Sequence, residues 1–153
     1  MVRHLFAPAL AVLSLAAFPA LSQQAGETIK VGQSQEYGQH LVDGEGRAVY
    51  LFTADTQGQG DSKEAVSNCY DSCAAAWPPV VSEAEPQAEG AAQSDLLGRT
   101  ERKDGGMQVT YDGWPLYYFI KDQDTGQAVG QEVKSFGGEW YLVRADGGKV
   151  GHE

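Results

Sequence analysis

Tyr50-Leu51-Phe52-Thr53-Ala54-Asp55 and Tyr117-Tyr118-Phe119-Ile120-Lys121-Asp122 spell one pattern, Y-x-F-x-x-D, twice, 67 residues apart. The repetition extends outward from both hexapeptides. Gly46 falls opposite Gly113 at the same offset, and Gly32 falls opposite Gly98 at an offset of 66. Downstream, Trp77-Pro78-Pro79-Val80-Val81 falls opposite Trp140-Tyr141-Leu142-Val143. A chain that repeats a supersecondary unit is built from two copies of one scaffold that complete each other's core. Function is then to be sought in what the copies share and where they differ.

Apolar residues alternate around both hexapeptides. Ala48, Tyr50 and Phe52 alternate with Val49 and Leu51; Leu116, Tyr118 and Ile120 alternate with Tyr117 and Phe119; Trp140 and Leu142 alternate with Tyr141 and Val143. These are strands, several of them apolar on both faces. Asp43-Gly44-Glu45-Gly46, Asp112-Gly113 and Asp104-Gly105-Gly106 are turn signals between them. The pattern predicts a mainly β fold: two four-stranded repeats forming one small sandwich or barrel, related by a pseudo-twofold axis. The strands fall at about 29–35, 39–42, 47–53 and 77–81 in the first copy, and at 96–102, 107–111, 115–120 and 139–144 in the second. A short helix is predicted near Asn68–Ala76, capped by Asn68, with Asp71 in its first turn and Ala74-Ala75-Ala76 supplying helix propensity. Residues 56–65 read as a Gly-rich loop, 82–95 as an acidic, Ala-rich mobile connector, and the tail after Ala145 as frayed.

Residues 1–22 read as a secretory signal peptide: Arg3, then a short apolar stretch, then Ala20-Leu21-Ser22 as a cleavage site. The apolar stretch is shorter than the roughly 20 residues that span a bilayer, and nothing later is apolar enough to do so. Residues 23–153 then form a single two-repeat domain, with repeat one at about 29–81, the connector at 82–95 and repeat two at about 96–144. Removing Arg3 with the leader leaves ten basic residues against 21 acidic ones, a charge of −11. Such a surface repels nucleic acid and anionic headgroups, since phosphate binding needs clustered Lys and Arg. No cysteine lies near the cleavage site, so lipid attachment there is chemically excluded.

Cys69 and Cys73 are the only cysteines. In an exported protein two nearby cysteines pair as a structural disulfide. The β-carbons of residues i and i+4 in a regular helix stand too far apart for that bond, so the helix begins at or after Cys69 or its turn is distorted. A redox pair or a metal site are the alternatives, but the spacing is not C-x-x-C, and His40, His152 and Met107 stand at no ligand-like distance in sequence. Phe52 and Phe119 read as core residues. Tyr50 and Tyr117 share the face of their Phe, with hydroxyls reaching buried acceptors. Asp55 and Asp122 follow their strands where a carboxylate caps the next turn through backbone amides; ligand or cation binding is the alternative role. No catalytic motif and no cofactor motif is present, and the chain carries no constellation expected of an enzyme.

The doubled Y-x-F-x-x-D, the run Asn68-Cys69-Tyr70-x-x-Cys73-Ala74-x-x-Trp77-Pro78-Pro79, the run Tyr111-Asp112-Gly113-Trp114-Pro115-Leu116-Tyr117-Tyr118-Phe119 and the segment Phe136-Gly137-Gly138-Glu139-Trp140-Tyr141 resemble the bacterial "secreted repeat of unknown function" family, also described as predicted lipoproteins with a conserved Yx(FWY)xxD motif. The resemblance implies an exported bacterial envelope protein of two repeats, and it implies no activity. Without a lipobox cysteine, this chain is expected to be periplasmic or secreted rather than lipid-anchored. The reading that follows is a non-catalytic binding or interaction module. Its candidate binding residues are Tyr50, Asp55, Trp77, Tyr117, Asp122 and Trp140, and its candidate partners are an envelope protein, a sugar or a small cation. The rival reading is a periplasmic metal or redox accessory protein using Cys69 and Cys73.

Overall fold

The computed structural model describes residues 24–151; the leader read at 1–22 lies outside them. Among these residues the chain is mainly β, with nine short strands in three three-stranded sheets and one short helix. It is sandwich-like, and no sheet closes into a barrel. Each copy opens on an antiparallel hairpin. Strands β1 (Thr28–Ser34) and β2 (Gly38–Asp43) pair from Ile29↔Asp43 to Ser34↔Gly38. Strands β5 (Leu97–Glu101) and β6 (Met107–Tyr111) pair from Leu97↔Tyr111 to Glu101↔Met107. Strand β7 (Trp114–Pro115) extends the second hairpin. The first motif strand, β3 (Tyr50–Phe52), pairs with β9 (Gly138–Leu142), which pairs in turn with β8 (Lys134–Ser135). The repeated Gly46 and Gly113 hold positive φ, 90° and 75°, the turn geometry that glycine adopts without steric cost.

The copies are interlocked rather than side by side. Tyr50 and Tyr117 exchange both backbone hydrogen bonds at 2.9 Å, which joins the two motif segments antiparallel about their first residues. Each motif segment then takes its next neighbour from the other copy. Phe52 pairs with Trp140, and Tyr117 bridges Pro79. The hairpins follow the same rule: Leu41 N–H donates to Val143 C=O, and Val109 N–H to Val80 C=O, both at 2.8 Å. Corresponding contacts in the two directions describe an approximate twofold axis between Tyr50 and Tyr117.

The two-faced alternation of these segments has a structural reason: they form a layer between two cores. On one side lie Tyr50, Phe52, Tyr117, Phe119, Trp77, Trp140 and Leu142. On the other lie Leu51, Leu116, Tyr141, Val143, Val49, Val80 and Ile29. The first core contains a column of four stacked rings, Phe52–Trp140–Trp77–Phe119, with centroids 4.0, 3.9 and 3.9 Å apart. Tyr50 meets Trp77 edge-on at 5.4 Å, and Tyr117 meets Trp140 likewise at 5.1 Å. Aromatic pairs of this kind add about 0.5–1.5 kcal/mol each beyond burial.

Five local expectations are corrected. Residues 77–81 form no ladder strand, because Pro78 and Pro79 lack the N–H groups that their counterparts Tyr141 and Leu142 have; the Pro78 carbonyl still accepts from Tyr118 N–H at 2.8 Å. Residues 115–120 are accordingly held by isolated bridges rather than a continuous strand. The connector is ordered: β4 (Gln87–Glu89) runs parallel to β1, since backbone pairing with an open strand edge needs no apolar side chains. The tail folds back through Asp146-Gly147, with Val150 N–H on Leu142 C=O and the Val150 side chain buried. Helix α1 (Ser72–Ala76) starts after Cys69 as expected, but Asn68 does not cap it and Asp71 stands at its N-cap rather than in its first turn.

Candidate functional site

The motif's tyrosines and aspartates are bonded across the axis. Tyr50 donates its hydroxyl to Asp122 Oδ2 at 2.6 Å, and Tyr117 donates to Asp55 Oδ2 at 2.7 Å. The other oxygen of each carboxylate accepts a backbone amide: Asp55 Oδ1 from Asn68 at 2.7 Å, Asp122 Oδ1 from Val129 at 2.8 Å. Each hydroxyl has a further partner, Gly130 N–H on Tyr50 and Ser67 Oγ on Tyr117. The first tyrosine of each hexapeptide thus serves the aspartate of the opposite copy. Burial pushes both phenols far above their ordinary range, with the partner carboxylate adding to the shift. They are fixed hydrogen-bond donors, not proton-transfer groups at neutral pH.

The two ends of this arrangement differ. Asp55 is 8% exposed and closed in. Its carboxyl is pushed up to about 6 by burial, against the opposing bonds from Asn68 and Tyr117 and the Arg102 charge. Arg102, itself buried, donates to Ser67 Oγ at 3.0 Å, Gln108 Oε1 at 2.8 Å and Cys69 C=O at 3.0 Å. Asp104 accepts from Nε and from Nη2, each at 2.9 Å. The Cys69–Cys73 disulfide, with Cα atoms 5.2 Å apart, pins the adjoining segment onto the ring column. Arg102 and Ser67 lie outside the repeated pattern, so sequence reading passed over them; the one signal was a lone Arg beside the turn at Asp104-Gly105-Gly106.

At the other end His40 replaces this network. It is 1% exposed, its Nδ1 lies 3.1 Å from Leu41 C=O, and its Nε2 has no hydrogen-bond partner. Desolvation depresses the imidazole pKa, opposed by the Leu41 bond and by the nearby Asp122 charge. Asp122 is only half-buried, and burial raises its carboxyl against the Tyr50 and Val129 bonds. It opens onto a cavity of about 200 Å³ lined by Arg47, Ala48, Pro78, Tyr118, Phe119, Ile120 and Asp122.

Of the sequence candidates, Tyr50, Tyr117, Trp77 and Trp140 are closed to solvent at 0–1% exposure. The structure brings all six together, but as the joint between copies, and only Asp122 among them lines this cavity. A larger open groove of about 810 Å³ runs between residues 24–27 and 81–87, and no motif residue lines it. Among the described residues no group of three or more His, Cys, Asp or Glu is placed to hold a metal ion, and no helix is long and apolar enough to cross a membrane.

The family model described as a secreted repeat of unknown function matches the chain twice, over residues 33–81 and 98–144. No curated protein and no solved structure matches it.

Proposed function

The chain belongs to the secreted repeat of unknown function family, and from that premise we propose that it is a non-catalytic binding module of the bacterial cell envelope, periplasmic or released and without a lipid anchor. Its binding surface is the Asp122 cavity. One observation carries this reading: of the two motif carboxylates, Asp55 is sealed behind Arg102 and the disulfide segment, whereas Asp122 faces a cavity flanked by the exposed apolar side chains Ile120 and Val129. The metal or redox alternative is disfavoured because Cys69 and Cys73 are bonded to each other and buried at 0% and 5% exposure.

Titrating an envelope extract into ¹⁵N-labelled protein tests the proposal. Amide shifts confined to residues 118–122 and 129–130 are expected, and Ile120→Trp, which fills the cavity mouth from an exposed position, should abolish them while leaving Tm unchanged. Absence of any perturbation at these residues would sink it.

A further inference from the structure

The Asp122 cavity carries opposite charges on apolar walls. Arg47 is held in place from two directions. Its Nε donates to Asp43 Oδ2 at 2.8 Å, and its guanidinium carbon lies 4.1 Å over the Tyr118 ring. Glu45 Oε2 also lies 3.6 Å from Nε, and among the described residues neither terminal nitrogen makes a hydrogen bond, so the half-exposed guanidinium keeps a two-pronged donor for a ligand. A guanidinium presented in this way matches the two oxygens of a carboxylate. Each Asp122 oxygen accepts one bond from the protein and retains a second acceptor site. Ala48, Pro78, Phe119 and Ile120 supply the rest of the lining. At about 200 Å³ the space falls below the roughly 300–1,000 Å³ of sites for drug-sized ligands.

These features exclude simpler ligands by charge. A plain carboxylate would meet Arg47 but be repelled by Asp122, and by a chain that carries ten positive charges against 21 negative ones after loss of the leader. A plain amine would meet Asp122 but be repelled by Arg47. A small molecule carrying both groups satisfies both residues and is neutral toward the surface field. The counterpart end cannot do the same. Thr53 and Ala54 stand where Ile120 and Lys121 stand, and the Arg102 guanidinium is bonded to the protein throughout.

Resting on the binding-module reading, we propose that the cavity takes one free α-amino acid with an aliphatic side chain. Its carboxylate sits on Arg47, its ammonium on Asp122, and its side chain lies against Pro78, Phe119 and Ile120.

The test is a ¹⁵N-detected titration of the mature protein with L-leucine, N-acetyl-leucine, which lacks the ammonium, and leucinamide, which lacks the carboxylate. Leucine should shift residues 118–122 with one site per chain, and each analogue should bind at least tenfold more weakly. Arg47→Gln, at a half-exposed side chain, should lose at least tenfold for leucine yet show no further loss for leucinamide. Asp122→Asn also breaks the joint to Tyr50, so the analogue pair rather than this variant carries the ammonium test. Equal binding of all three compounds, or none up to millimolar leucine, would overturn the assignment. If leucine fails while envelope extract still shifts the cavity residues, only the ligand class falls; if neither perturbs them, the binding site falls as well.

Discussion

Tyr50 and Tyr117 occupy equivalent places but do not carry equal weight. Removing the Tyr117 hydroxyl leaves Asp55 with one bond fewer in a closed site, whereas water reaches Asp122 when the Tyr50 hydroxyl is removed. Tyr117→Phe is therefore expected to cost about 2–3 kcal/mol and Tyr50→Phe about 1 kcal/mol, read as midpoint shifts in urea. The repeated hexapeptide gives no sign of this difference, because it hides Arg102, Ser67 and His40. Those residues sit at positions that the copies do not share. Titration gives a second asymmetry. The folded pKa of Asp55, about 6, lies above that of an unfolded carboxylate, so its contribution is fully present in acid and lost as pH rises through about 6. Asp55→Asn removes that dependence and should gain on the wild type between pH 4 and 7, by on the order of 2 kcal/mol. His40 has the opposite sign. Its depressed pKa makes its contribution complete above about pH 6.5 and erodes it on acidification. The charged group facing it is Asp122. His40→Gln should flatten the acid limb of a stability–pH profile between pH 4 and 6.5, and an unchanged limb would contradict this account.

At the level of elements, period-2 alternation located β3 and β9, whose residues are buried on both faces, and the turn signals helped place the hairpins; the same alternation over residues 115–120 marks a segment that carries no ladder. The second Trp strand was found and the first was not, although they are counterparts. Pro78 and Pro79 keep the path of the chain and remove its ladder, which apolar patterning does not register. Strand β4 escaped for the converse reason: it is recruited by the open edge of β1 through backbone groups alone. The cavity was also illegible, since Arg47 and Asp122 lie 75 positions apart in the chain and only the interlocking brings them together. Helix α1 is one turn longer than nothing, five residues, far below the length at which a helix holds itself in water. The disulfide closes a small loop at its start, so reduction should cost about 1–2 kcal/mol. Near-ultraviolet circular dichroism should report loosening around Trp77 while the far-ultraviolet spectrum keeps its strand content. Loss of both signals together on reduction would mean that the bond supports the whole fold.

For the whole molecule, the exchange of partners across the axis means that neither copy possesses a complete core. Trp77 from the first copy and Phe119 from the second stack on one another, as do Phe52 and Trp140. A polypeptide cut after Glu89, next to the exposed Gly90, keeps β4 with β1 and separates the copies. The pieces 23–89 and 90–153 should each lack near-ultraviolet signal alone and regain it as a one-to-one complex when mixed. An independently folded piece would refute the interlocking.

The same exchange bears on how the two ends came to differ. A one-copy polypeptide could satisfy these contacts only by pairing with a twin, and both ends of such a homodimer would be identical by symmetry. Any residue gained for a ligand would appear twice, and so would any residue gained for rigidity. Tandem linkage on one chain lifts that restriction. It lets one pole hold Arg102 and a disulfide while the other keeps Arg47, Ile120 and an open mouth, a division of labour unavailable to a symmetric homodimer of one-copy chains.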